Sequence, residues 1–386
     1  MHRRLGVTPG PKQLAEYFCM STRRFIPQAV TMLALTLVGC SGAYAASSEP
    51  AVLQAYLRPP EVPAPADNVP NAARVELGKA LFFDPRLSGS NWISCATCHN
   101  PALGWSDALP AGIGHNGKQL GRATPTILNT AYLPLLMWDG RKSTLEDQAL
   151  GPVESADEMH QDPDVLVSKL ASIAGYPAMF ERAYPGQGIS KATISKAIAS
   201  FERTIVSSEA PFDRWIKGQS DAIPPSAKRG FELFTNQANC VACHSGFNFT
   251  DGSFHNIGVA DAGPADTGRF AVKPLKAMRG AFKTPTLRDI ALTAPYMRNG
   301  IYRTLEEVVE HYARGGDVRE NLSAEIHSLN LSVQDKRDLV AFMLTLTADP
   351  APVQLPVLPP GVTAELPTTP HLAGSMTSQA TTPRNP

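Results

Sequence analysis

The chain predicts an all-α fold of two small, loop-rich helical domains, and three observations carry that expectation. A Cys-x-x-Cys-His motif occurs twice, at Cys95-Ala96-Thr97-Cys98-His99 and at Cys240-Val241-Ala242-Cys243-His244. Each copy is preceded by a Gly-x-x-x-Phe on a helical pattern and followed, much later, by a capped stretch of apolar periodicity. There are 34 prolines in 386 residues, well above the usual share of roughly 5%, which argues for many loops and against long helices or a large sheet. The length suits two domains of ordinary size. The 35 Lys and Arg balance 35 Asp and Glu, so no whole-chain charge favours a nucleic-acid partner, and none is expected.

From the N-terminus, the apolar run Ala29 to Val38 follows Arg23 and Arg24 and leads through small residues to Ala46, with a cleavage-like Ala43-Tyr44-Ala45. Residues 1–46 therefore read as an export signal, too short to span a bilayer comfortably. Met20 stands directly before Ser-Thr-Arg-Arg, so residues 1–19 read as an over-long start. Leu37-Val38-Gly39-Cys40 also resembles a lipobox, and a soluble periplasmic product and one lipid-anchored at Cys40 both stay open. Residues 47–72 are expected to be a stiff proline-rich linker, because Pro59, Pro60, Pro63, Pro65 and Pro70 forbid continuous helix. Residues 350–386 hold nine prolines interleaved with Thr and Ser, the composition of a disordered tail. The domains are expected at 73–217 and 226–349, separated where Gly, Asp and two prolines break the pattern from Gly218 to Pro225.

The motif spacing has a chemical reason. Two thiols three positions apart reach the two vinyl groups of one haem, and the adjacent histidine then lies under the iron. A redox dithiol does not need the histidine, and a zinc knuckle wants four close ligands. Chance would supply such a motif on the order of 0.002 times. Cys95 and Cys98 with His99, and Cys240 and Cys243 with His244, are thus expected to hold two covalent haem c groups. Upstream, Gly78 and Phe82, like Gly230 and Phe234, suit a close helix crossing with an aromatic near the haem edge. Downstream, Ser190 opens the periodic Ile194, Ile198, Phe201 and Ile205, and Ser332 opens Leu339, Val340, Phe342, Met343 and Leu346. The chain reads as two cytochrome c-like domains.

Two haems alone would make an electron carrier; peroxide chemistry also needs an open iron and a proton-transfer group above it. Between and after the motifs stand Leu77-Gly78-Lys79-Ala80-Leu81-Phe82-Phe83-Asp84-Pro85-Arg86-Leu87-Ser88, Trp138-Asp139-Gly140-Arg141, Pro285-Thr286-Leu287-Arg288 and Thr293-Ala294-Pro295-Tyr296-Met297. On these stretches, residues 73–348 resemble the bacterial di-haem cytochrome c peroxidases and the related MauG enzymes. The resemblance implies that Trp138 lies between the haems as an electron-transfer stepping stone. It implies that Gln148 and Glu158 form the distal pair with Pro152 in the same wall, Glu158 moving a proton between the oxygens of bound peroxide. Glu154 is the nearby rival for that role. It also implies that His115, between Gly112, Gly114 and Gly117, is a mobile resting ligand of the peroxidatic iron. MauG-like enzymes lack that ligand.

Two departures split the resemblance. Where the peroxidases place a methionine ligand for the second iron, 19 residues after Thr293, this chain has Tyr312, as in the MauG branch; an anionic phenolate lowers the potential that methionine raises. Met297 and Met278 are the alternative sulfur ligands. The family's calcium implies carbonyl donors at Thr293 and Pro295, but Ala123 replaces the usual asparagine and offers no side-chain oxygen, so bound Ca²⁺ and an empty site both stay open. His255 is expected to make ordinary hydrogen bonds, with a haem propionate as its other partner in prospect. The resulting expectation is an exported di-haem peroxidase that reduces hydrogen peroxide with electrons from a small soluble cytochrome c or cupredoxin. The alternatives are a MauG-like oxidase acting on a partner protein or aromatic substrate, and a non-catalytic carrier. Members of the family often form homodimers.

Overall fold

The structure is a computed structural model and describes residues 53–361. The expected export signal, Cys40 and tail residues 362–386 lie outside the described residues. In chain order the helices are α1 (Ala72–Phe83), α2 (Cys95–Cys98), α3 (Leu145–Ala149), α4 (Gly151–Glu154), α5 (Pro163–Ser172), α6 (Gly175–Ala183), α7 (Lys191–Glu202), α8 (Pro211–Ile216), α9 (Pro225–Thr235), α10 (Leu305–Ala313) and α11 (Val333–Leu344). Two-residue strands β1 (Phe254–His255) and β2 (Phe282–Lys283) pair antiparallel. Short 3₁₀ turns and loops fill the rest, as the proline content requires.

Two crossed helix pairs organise the two haem motifs. A Cβ on Gly78 of α1 would lie 1.9 Å from the Ala197 carbonyl oxygen of α7, and one on Gly230 of α9 would lie 1.9 Å from that of Asp338 on α11. Only glycine admits backbone this close. One turn on, Phe82 meets Phe201 edge-on at 5.2 Å and Phe234 meets Phe342 at 5.0 Å. Both closing helices start in reciprocal caps. The Ser190 backbone N–H donates to Thr193 Oγ1 and the Thr193 N–H to Ser190 Oγ; Ser332 and Asp335 exchange the same pair. The internal repeat is thus repeated packing.

Three boundaries differ from expectation. Helix α8, assigned by sequence to the first domain, packs Phe212 and Trp215 into the second core around Phe231 and Phe342. Part of the expected linker joins it there: Tyr56 is 2% exposed and touches Phe212, Phe231 and Phe249. The described part of the tail returns to the first domain, where Val353 and Leu358 pack on its core and the Arg86 guanidinium donates to the Pro359 carbonyl at 2.9 Å. Pro359 sits on bare Gly175 backbone, where a Cβ would approach it to 2.7 Å. Proline forbids helix, but an extended proline-bearing strap still covers apolar surface, and composition does not distinguish that strap from a free tail. Among the described residues no helix is long and apolar enough to cross a membrane.

Candidate functional site

Each Cys-x-x-Cys-His segment is a single tight turn ending on a fixed imidazole. Helix α2 is entered through Ser94, whose backbone N–H donates to Thr97 Oγ1. His99 Nδ1–H donates to the Trp105 carbonyl at 3.1 Å, and His244 Nδ1–H to that of Phe249 at 2.9 Å. That bond sets the tautomer and leaves each Nε2 lone pair for a metal. Burial pushes both imidazole pKa values down, against the carbonyl bonds that raise them, so both stay neutral. Burial also pushes the thiols up, Cys98 to about 11 and Cys240 to about 12, with Cys95 raised further still. A thiol that adds across a vinyl double bond becomes a neutral thioether, which burial accommodates.

A cavity lies over each imidazole. The first, about 550 Å³, is lined by Cys95, Cys98 and His99; the second, about 190 Å³, by Cys240, Cys243 and His244. Paired thiols, a neutral imidazole with a free ring nitrogen and an adjoining cavity are what a covalent haem needs, so the residues present fit haem c at both places.

Part of the wall of the first cavity comes from α3, α4 and the turn after them. Thr144 caps α3 by accepting from the Asp147 N–H, and the helix carries Gln148 to the wall, its Nε2 3.8 Å from Met137 Sδ. Pro152 lies in the first turn of α4, and the chain then folds back: the Glu158 N–H donates to the Ser155 carbonyl and that of Met159 to Pro152. Glu158 is half-buried on the wall beside Gln148 and Pro152. Glu154 is exposed and not on the wall, because it occupies the opposite side of that fold, and it drops out as a rival. Trp138 lines both cavities, its indole N–H donating to the Ala123 carbonyl at 2.8 Å.

His115 does not line the first cavity; it stacks on His160, ring centroids 4.6 Å apart and planes 15° from parallel, and its buried Nδ1 has no hydrogen-bond partner. The His115 N–H donates to the Asp157 carbonyl, Lys118 pairs with the Asp157 carboxylate at 2.6 Å, and a Cβ on Gly114 would lie 1.9 Å from the Asp157 carbonyl oxygen. These contacts hold the loop against the Glu158 turn. His160, to which the sequence attached no role, is the partner that keeps it there.

Helix α10 brings Tyr312 to the second cavity beside Cys240, Cys243 and His244. Burial raises its phenol pKa, and the cysteine pair adds to the rise, so the phenol would lose its proton to solvent only with a strong cation at its oxygen. Met297 lines both cavities and Met278 neither, which removes Met278. His255, on the second wall, is 2.8 Å from Asp251, which raises its pKa to about 10; this is the ordinary hydrogen bond expected of it. Thr293 and Pro295, whose backbone carbonyls were expected as calcium donors, both line the first cavity, while the Ala123 carbonyl accepts from Trp138 and the nearby carboxylate of Asp139 is held by Arg122 and Arg141. Ca²⁺ wants several free oxygens, and no step is assigned to it.

Two wall residues escaped the sequence. Glu202 of α7 is 5% exposed, with no partner for its Oε2. Its neighbour Arg203 is bound instead to Glu146 at 2.8 and 3.0 Å. Burial pushes Glu202 up to about 8, Arg203 opposing and Glu146 reinforcing. The available signal was an acid one turn beyond Ile198 on the apolar face. Lys283 of β2, 9% exposed, lines both cavities, and burial pushes it down to about 8; nothing in its sequence context marked it.

Residues 72–221 match the family model for di-haem cytochrome c peroxidase, and residues 227–347 match that for cytochrome c. The chain is 45% identical to the methylamine utilization protein MauG of Methylorubrum extorquens over 353 residues, covering 87% of this chain and 100% of that protein. It is 36% identical to the cytochrome-c peroxidase IdrP1 of a Pseudomonas species, covering 85% of this chain and 95% of the other. Among solved structures it resembles a MauG-like protein associated with microbial copper homeostasis, with a TM-score of 0.70 at 32% identity, over 76% of this chain and 93% of that one.

Proposed function

The chain belongs to the di-haem cytochrome c peroxidase family, and from that premise we propose that it is a peroxide-using, MauG-like di-haem oxidase that draws electrons from a partner protein or aromatic substrate. The observation that carries this reading is Tyr312 on the wall of the second cavity, which Cys240, Cys243 and His244 also line. Two further observations support it: His115 stacked outside the first cavity, and 45% identity along the full length of a MauG protein. From sequence the small-donor peroxidase stood first; these observations reverse the order.

When bound, haem supplies an iron that takes peroxide and its two oxidising equivalents. The chain's own residues do the rest. Glu158 would accept the proton of the near oxygen of peroxide on its carboxylate and return it to the far oxygen, while the Gln148 amide would orient the ligand. Pro152 and Met159 close the wall beside them and limit water. Trp138, shared by both cavities and fixed by its bond to Ala123, shortens each electron step between them. A Tyr312 phenolate favours the ferric state of the second site, suited to storing oxidising equivalents rather than to receiving electrons from a high-potential donor. We place the protein in the periplasm, on the export signal read in residues 1–46 and on the extracytoplasmic attachment that haem c requires.

The second reading, a peroxidase served by a small cytochrome c or cupredoxin, is favoured by His115 itself, which a glycine-flanked loop carries next to the Glu158 turn. The test is to add peroxide to the fully oxidised, purified protein, with and without reduced cytochrome c, beside Glu158→Gln. A persistent oxidised protein forming directly from the resting state, slowly or not at all in Glu158→Gln, supports the oxidase. Rapid cytochrome c turnover that appears only after one-electron reduction overturns it in favour of the peroxidase.

A further inference from the structure

Several cations border the two cavities, and all but one have a carboxylate. Arg122 is bound to Asp139 and Asp266, Arg141 to Asp139, and Arg298 to Asp261. Lys283 is the exception: among the described residues its ammonium has neither an ion pair nor a hydrogen bond, although the residue is only 9% exposed and lines both cavities. The carboxylate of Asp251, which favours its charge from a distance, is committed to His255 at 2.8 Å and to the Ser253 N–H at 2.9 Å. The lysine is also held firmly. Its backbone N–H donates to the Trp138 carbonyl at 2.8 Å, it pairs across β1 with Phe254, and the adjacent Phe282 ring is flanked by the Arg122 and Arg298 guanidiniums at 5.3 and 4.5 Å. A buried ammonium without an anion is costly, and the protein around it supplies none. The groups that the two cavities are built to hold each carry two carboxylates.

We propose that Lys283 is a counter-cation shared by the two haems, its ammonium taking a carboxylate of the haem on either side. The inference rests on both Cys-x-x-Cys-His motifs carrying haem, and it goes beyond the oxidase reading by assigning a residue that ties the two sites together. With haem in both cavities, a positive charge on the wall they share would favour the reduced state of each. One residue therefore tunes the pair, next to the tryptophan that separates them.

The test begins by counting covalent haem per chain by the pyridine haemochrome spectrum; fewer than two refutes the underlying reading before Lys283 is examined. Redox titrations of the wild type, Lys283→Gln and Lys283→Arg then resolve each haem by its own bands. The expected result is a downward shift of both midpoints in the glutamine variant and near-wild-type midpoints with arginine. Movement of one haem only, or of neither, overturns the proposal. If the glutamine variant fails to mature, infrared spectra of wild type and the arginine variant with ¹³C-carboxyl-labelled haem answer the same question. Carboxylate bands of both haems must shift between the two proteins, and unchanged bands overturn it.

Discussion

Replacing Glu202 with glutamine removes a carboxyl that folding places in an apolar wall without a partner for Oε2. Burial raises its pKa from 4.5 to about 8, so the native state keeps a proton that the unfolded chain releases. Between those values the native state binds more protons than the unfolded one, and stability falls as pH rises. At 1.36 kcal/mol per pKa unit, the loss is about 1 kcal/mol at pH 5, about 3 at pH 7, and close to 5, the order-of-magnitude ceiling, above pH 8. Glutamine is isosteric with the protonated acid and has no charge to lose. Glu202→Gln should exceed the wild type by only about 1 kcal/mol at pH 5 and by about 5 kcal/mol at pH 9, a gain of about 4 kcal/mol over that range. The assay is urea unfolding of the holo-protein, followed by far-ultraviolet circular dichroism from pH 5 to 9. A wild-type-minus-variant difference that stays flat over that range, or that favours the wild type more at high pH, refutes the reasoning.

Other outcomes follow from the same geometry. Gly78→Ala and Gly230→Ala each drive a methyl group into a facing carbonyl, and each should cost at least about 1–3 kcal/mol. Denaturant unfolding should show the loss in the first helix pair for Gly78→Ala and in the second for Gly230→Ala. Tyr312→Met should raise the potential of the haem held by His244 and leave the other nearly unchanged, as read by a spectroelectrochemical titration. His160→Ala removes a ring stack worth about 0.5–1.5 kcal/mol. It should increase the low-spin six-coordinate fraction of the resting ferric spectrum as His115 reaches the iron, and His115→Ala in the same chain should abolish the increase.

Much of this protein can be read along the chain. Covalent chemistry that depends on local spacing survives without any knowledge of packing, which is why the two motifs and their histidines stand out. The crossing glycines and the two serine caps are legible for the same reason, since each is a rule about a few consecutive residues. The distal carboxylate was narrower than sequence could make it: Glu154 and Glu158 are chemically alike, and only the fold-back at Ser155 turns one to the cavity and the other to solvent. His115 shows a second limit, because a histidine in a glycine loop can swing to the iron or lie on another ring. Its partner His160 is 45 positions away.

By itself, then, the sequence determined two cytochrome c-like halves, the two Cys-x-x-Cys-His motifs within them, and the helices that close each half. The tertiary structure alone decided that the proline-rich ends strap opposite cores, that α8 belongs to the second half, and that Glu202 and Lys283 are buried at cavity walls. The reason is physical. Periodicity and spacing report what a residue does to its neighbours within a turn or two, whereas the partner of a buried charge is fixed by elements that meet only when the chain has folded.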